Sequence, residues 1–80
     1  MLKEIHKQIQ KGILTAINNG QYKYICGYRY DCYAADKETQ LKGYFILANE
    51  KYLKEYYQAL GYIIEIEDIG FLVEIKISWE

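Results

Sequence analysis

A chain of 80 residues has room for one core and no second domain, and an apolar fraction of 51% excludes a disordered polar chain. The net charge of −1 argues against a protein built for nucleic acid, and no stretch nears the roughly 18 apolar residues of a membrane span. Met1 is followed by Leu-Lys-Glu-Ile rather than an apolar leader, so the expectation is a soluble cytoplasmic protein with no membrane partner.

Residues 2–18 predict an amphipathic helix. Leu2, Ile5, Ile9, Ile13, Ala16 and Ile17 recur at three- and four-residue spacing and make one stripe. Lys3, Lys7 and Lys11 make the opposite one, and Asn18-Asn19-Gly20 supplies a stop. Gly12 faces the apolar side, where a missing side chain allows close approach to a sheet. Leu14 is the misfit: it falls among the lysines, as a contact for a partner would.

Residues 21–33 predict the first strand. Tyr22, Tyr24, Cys26, Tyr28, Tyr30 and Cys32 share one parity, and Lys23, Ile25, Gly27, Arg29 and Asp31 the other. Four tyrosines on one strand face have two readings, cross-strand packing with the hydroxyl reaching water or a recognition surface. Cys26 and Cys32 lie about 20 Å apart in an extended strand, too far for a disulfide. Two reduced, packed thiols are expected.

Residues 34–40 are polar and read as a loop. Leu41, Gly43, Phe45 and Leu47 then alternate with Lys42, Tyr44 and Ile46, predicting another strand, antiparallel to the first. Asn49 is an N-cap candidate for a helix with Glu50 in its first turn, running to Leu60 and stopping at Gly61. Its apolar arc, which includes Tyr52, Tyr56, Tyr57 and Leu60, is too wide to bury whole, leaving Tyr52 or Tyr57 at the rim. Tyr62 to Trp79 predicts a hairpin. Phe71, Val73, Ile75, Ile77 and Trp79 face one way, opposed by Leu72, Glu74, Lys76 and Ser78. Tyr62, Ile64 and Ile66 oppose Glu65 and Glu67, although Ile63 breaks the polar set, and Asp68-Ile69-Gly70 is the turn.

The expected architecture is therefore α+β, in the order α-β-β-α-β-β. It is a two-layer sandwich with a largely antiparallel four-stranded sheet covered on one face by two helices. Charge divides along the chain. Residues 1–30 carry five cations against Glu4, and residues 31–80 five lysines against ten carboxylates. A basic front and an acidic back suit self-association or an anionic partner.

Sites for chemistry are few. His6 is the single histidine and sits at the edge of an apolar stripe, where a packed role precedes a catalytic one. Glu65, Glu67 and Glu74 share an outward parity and read as solvated strand carboxylates. The glycines are scattered, so there is no phosphate loop, and a zinc site lacks ligands. No cofactor and no catalytic activity are expected. Lys3, Lys7, Lys11, Lys23 and Arg29 beside tyrosines would suit nucleic acid, but a single arginine and the acidic hairpin oppose it.

The helix ending Ala16-Ile17-Asn18-Asn19-Gly20 leads into an aromatic strand, Tyr22 to Cys26. A later helix gives Leu60-Gly61-Tyr62 and a final strand closes on Ile77-Ser78-Trp79. In these pieces the chain resembles small α/β proteins of unknown function found in bacteriophage genomes, although Gly27 to Leu47 is longer than their direct strand-to-helix passage. The resemblance implies a phage or prophage origin and transfers no catalytic residue. Nine lysines to one arginine, with much isoleucine, tyrosine and asparagine, fit an AT-rich genome.

The first functional expectation is a phage accessory protein that binds and inhibits a host protein through a tyrosine-rich surface, as a homo-oligomer, most simply a dimer. Its contact residues would come from Tyr22, Tyr24, Tyr28, Tyr30, Tyr52, Tyr57, Lys7, Lys11, Leu14 and Arg29. The alternatives are sequestration of a small nucleotide at an oligomer interface and a role as a virion or assembly component.

Overall fold

Six elements follow one another in the computed structural model, which describes residues 1–30 and 36–79. They are α1 (Leu2–Asn18), β1 (Lys23–Arg29), α2 (Lys37–Ala48), α3 (Glu50–Ala59), β2 (Ile63–Asp68) and β3 (Leu72–Ser78). The sheet is antiparallel in the order β1-β3-β2, so the last strand lies between the other two. The α+β class holds. The expected four strands and two helices are corrected to three strands and three helices.

The correction falls on α2: residues 41–47 were expected as a strand and 37–40 as part of a loop, and both belong to one helix, Lys37–Ala48. Asp36 caps the helix, its Oδ1 accepting the Thr39 amide at 2.7 Å, and Glu38 pairs with Lys42 one turn on at 3.4 Å. Alternation of Leu41, Gly43, Phe45 and Leu47 was real but incidental. The helix buries one side and leaves Leu41 and Tyr44 exposed on the other, so its apolar residues make no single stripe. Gly43 and Ile46, three apart, are its buried positions. A Cβ on Gly43 would stand 2.6 Å from Tyr30 Cβ, so the helix meets β1 at van der Waals limit. The expected loop at 34–40 ends at the Asp36 cap; residues 34 and 35, like Asp31, Cys32 and Tyr33, lie outside the described residues.

Asn49 closes α2 and opens α3. Its side chain does not cap α3 but donates from Nδ2 to the Phe45 carbonyl at 2.9 Å, tying the corner to the helix behind it. α1 and α3 end alike. Gly20 N–H donates to Ile17 O and Gln21 N–H to Ala16 O, while Gly61 N–H donates to Gln58 O and Tyr62 N–H to Tyr57 O. These crossed bonds form Schellman motifs, and the positive φ of both glycines (72° and 94°) is what the motif requires.

Alternation sorts the sheet as expected at its centre. Val73, Ile75 and Ile77 are fully enclosed, with Ile64 and Ile66 beside them. Register aligns Tyr24–Ile77–Ile64 and Cys26–Ile75–Ile66 across the covered face. Ile5, Ile9 and Ile13 of α1, Ile46 of α2 and Leu53 and Tyr57 of α3 complete the core. Each such side chain contributes about 1.5–3 kcal/mol when buried. Phe71 and Trp79, expected on this face, flank β3; Trp79 packs against the core and Phe71 does not. Phe71 is exposed at the turn, and Trp79 is half-buried with its ring edge-on to Tyr62. Ile17, assigned to the buried stripe, faces solvent.

Candidate binding surface

The tyrosines divide into two groups. Tyr28, Tyr30 and Tyr57 are buried, and each hydroxyl is hydrogen-bonded. Tyr28 donates to Gln8 Oε1 of α1 at 2.5 Å, Tyr30 donates to the Asp68 carboxylate, and Tyr57 lies 2.8 Å from His6 Nδ1. Tyr28 ties β1 to α1, Tyr30 ties the end of β1 to β2, and Tyr57 ties α3 to α1. Tyr28 and Tyr30 share the parity of the buried face, and all three hydroxyls reach neighbouring elements. The Tyr30 hydroxyl, followed by the Gly70 amide, holds the Asp68 carboxyl below its usual range. Burial pushes the Tyr28 and Tyr57 phenols well above theirs.

Tyr24 is intermediate. Its ring lies against Gly12 of α1, where a Cβ would come within 2.2 Å of it, so the close approach read from Gly12 is present. Burial raises the Tyr24 phenol to about 12 and the neighbouring Cys26 thiol to about 11. A thiol held protonated at neutral pH is a poor nucleophile. His6 sits between α1 and α3 with ring centroids of Tyr56, Tyr57 and Tyr52 at 4.4, 5.5 and 6.1 Å. Burial lowers its pKa, and its Nε2 is enclosed without a hydrogen-bond partner among the described residues. Also among the described residues, no group of three or more His, Cys, Asp or Glu side chains is placed to hold a metal ion. None of their helices is long and apolar enough to cross a membrane.

Among the described residues, five of the thirteen exposed large apolar side chains, Leu14, Ile17, Tyr52, Tyr56 and Leu60, gather along α1 and α3. α1 and α3 run side by side in the same direction, since His6 meets Tyr52 and Tyr56 while Leu14 and Ile17 lie by Leu60. Between their C-terminal halves is a groove of about 380 Å³, lined by Gln10, Ile13, Leu14, Ile17, Tyr57, Leu60 and Tyr62. Ile13 and Tyr57 form its floor. Leu14, Ile17 and Leu60 form the rim and are 60%, 49% and 58% exposed. Tyr52, Tyr56 and Leu60, four apart on α3, carry the apolar surface along the valley.

Of the residues read from sequence, this valley gathers Leu14, Tyr52 and the floor of Tyr57, with Lys7 on the Leu14 stripe of α1. Lys11 turns to the other side of α1, toward Tyr24. Tyr22 is exposed just before β1, and Arg29 is exposed at the strand's far end. Tyr28 and Tyr30 are enclosed. Sequence reasoning missed Ile17 and Leu60 as surface; they stand three residues and one residue before a helix-ending glycine, where the stripe runs past the core it covers.

The uncovered face of the sheet is mixed in character. Rows read Lys23–Ser78–Ile63, Ile25–Lys76–Glu65 and Gly27–Glu74–Glu67. Lys76 pairs with Glu74 at 3.5 Å and Glu67 at 3.7 Å, relieving two carboxylates that sit directly opposite. Leu72 leans over Gly27, its Cδ1 3.0 Å from where a Cβ would be. No family model, curated protein or solved structure matches the chain.

Proposed function

We propose that the chain is a non-catalytic binding protein, a phage-type accessory factor that acts in the host bacterial cytoplasm by gripping and inhibiting a host protein. The grip is the valley between α1 and α3. The observation that carries this reading is the exposed aliphatic rim of Leu14, Ile17 and Leu60 around an apolar groove, continued by Tyr52 and Tyr56. Three large aliphatic side chains around one groove form a contiguous apolar patch of the kind that marks an interaction site. Two parallel helices with a groove between them present a seat for an amphipathic helix, read at spacings of three and four.

The phage assignment draws on the helix-Gly-aromatic-strand and Ile-Ser-Trp patterns at the two ends of the chain. The test is affinity capture from host lysate with wild type, Leu14→Lys/Leu60→Lys and Glu65→Lys as bait. Wild type and Glu65→Lys are expected to retain the same specific protein, and the double variant to lose it by tenfold or more. Equal retention by all three baits, or none by wild type, overturns the reading.

A further inference from the structure

We propose that the free edge of β1 pairs antiparallel with the same edge of a second copy of the chain, joining two three-stranded sheets into one of six strands. This concerns a different surface from the helical valley and does not depend on it. With β3 in the middle, β1 and β2 are both edges among the described residues. The direction of their backbone groups follows from single bonds beside each strand. Tyr30 N–H donates to Phe71 O, and Tyr22 O accepts from Trp79 N–H. Even-numbered residues of β1 therefore turn toward β3, and Lys23, Ile25, Gly27 and Arg29 point their N–H and C=O groups outward. A row of outward backbone groups is a template for another strand.

These four residues also carry their side chains on the uncovered face of the sheet. In an antiparallel ladder, residues that exchange hydrogen bonds keep their side chains on one face. Pairing β1 with its own copy therefore leaves both helical layers on the same side. Ile69 N–H donates to Leu72 O, so the outward groups of β2 are those of Ile64, Ile66 and Asp68. The same geometry would let β2 pair with itself, but its side chains oppose that. Glu65, Glu67 and Asp68 follow on a strand with no cation, and self-pairing would set carboxylates of two copies side by side.

β1 escapes this conflict in one register. Centred on Ile25, it sets Ile25 against the second copy's Ile25, Lys23 against the second copy's Gly27 and Arg29 against the second copy's Gln21. No cation faces a cation. Gly27 is aligned with Glu74 of β3, so Lys23 reaches across the glycine toward a carboxylate of the second copy, its alkyl stem over Leu72. Beside this edge, Gln21 to Ile25 line a groove of about 590 Å³, with Tyr22 60% and Ile25 46% exposed. A pair that overlaps over five strand residues, 23–27, and adds these two side chains sits at the low end of specific interfaces, so the dimer should depend on concentration.

Light scattering after size exclusion, from micromolar to millimolar protein, tests this directly. Wild type should approach twice the 9.5 kDa chain mass as concentration rises. Ile25→Arg, which brings cations together at the axis, and Ile25→Pro, which removes one outward N–H and no β3 bond, should stay at one chain mass. Circular dichroism matching wild type confirms that they fold, and Ile63→Arg on the β2 side should still dimerise. A monomer at every concentration, a dimer that survives Ile25→Arg, or one lost in Leu14→Lys/Leu60→Lys overturns the proposal. Host-protein capture by Ile25→Arg should be unchanged, which separates this failure from failure of the valley.

Discussion

α1–β1 and α3–β2 are built on one plan. In each, a helix ends on a glycine in a Schellman motif and returns as an edge strand against β3. They differ in what fills the covered face. β2 offers aliphatic Ile64 and Ile66, whereas β1 offers Tyr24, Cys26 and Tyr28. Branched aliphatics fill space between strands and helix without polar atoms to satisfy. Tyrosines reach farther and must place a hydroxyl, so Tyr28 is bonded to Gln8 while Tyr24 covers Gly12. The two edges also differ in charge, Lys23 and Arg29 on one and Glu65, Glu67 and Asp68 on the other. A shared plan can thus close the same core with two chemistries and leave two distinguishable edges.

If the units share the core equally, truncating either one should damage it equally. Ile9→Ala in α1 and Leu53→Ala in α3 remove fully enclosed side chains and should each cost about 2–5 kcal/mol by urea denaturation. A cost near zero for one of them would mark its unit as peripheral. The matched helix ends come next: Gly20→Ala and Gly61→Ala force a Cβ into positive φ and should each lose about 1–2 kcal/mol. Unequal losses would break the equivalence of the two ends.

The smallest effect separates the hydroxyl partners. Tyr28→Phe and Tyr57→Phe should each cost about 1 kcal/mol. His6, beside Tyr57, is held below its ordinary pKa of 6.5 by burial, so the unfolded chain takes up the proton first. Its contribution is complete above about pH 6.5 and is lost as pH falls below that value. Melting temperatures from pH 7.5 to 5 should therefore decline in wild type and in Tyr28→Phe, and decline less in His6→Gln.

Much of this plan was legible because it rests on local signals. The spacing of Ile5, Ile9 and Ile13, the glycines at 20 and 61 and the alternation of Val73, Ile75 and Ile77 each act within a few residues. Residues 41–47 were misread because Leu41, Gly43, Phe45 and Leu47 share one parity. The deciding signals were the Asp36 cap and the Glu38–Lys42 spacing, both of which favour a helix. The binding valley was half legible. Leu14 stood out from its lysine neighbours, but its meeting with Leu60 is made by the sheet and not by any local pattern. Tyr28, Tyr30 and Tyr57 misled because residue type alone does not tell a ring that grips a partner from one that braces a core.

The position of β3 has a consequence for how the molecule is made. Among the described residues it is the last of six elements yet the only strand that pairs with both others. Until it emerges from the ribosome, β1 and β2 lack the strand they share, although residues 1–71 of the 80 precede it. Sheet formation then joins residues about fifty apart for β1, a nonlocal closure that slows the search. The arrival of β3, more than any earlier element, should trigger the collapse of the sheet.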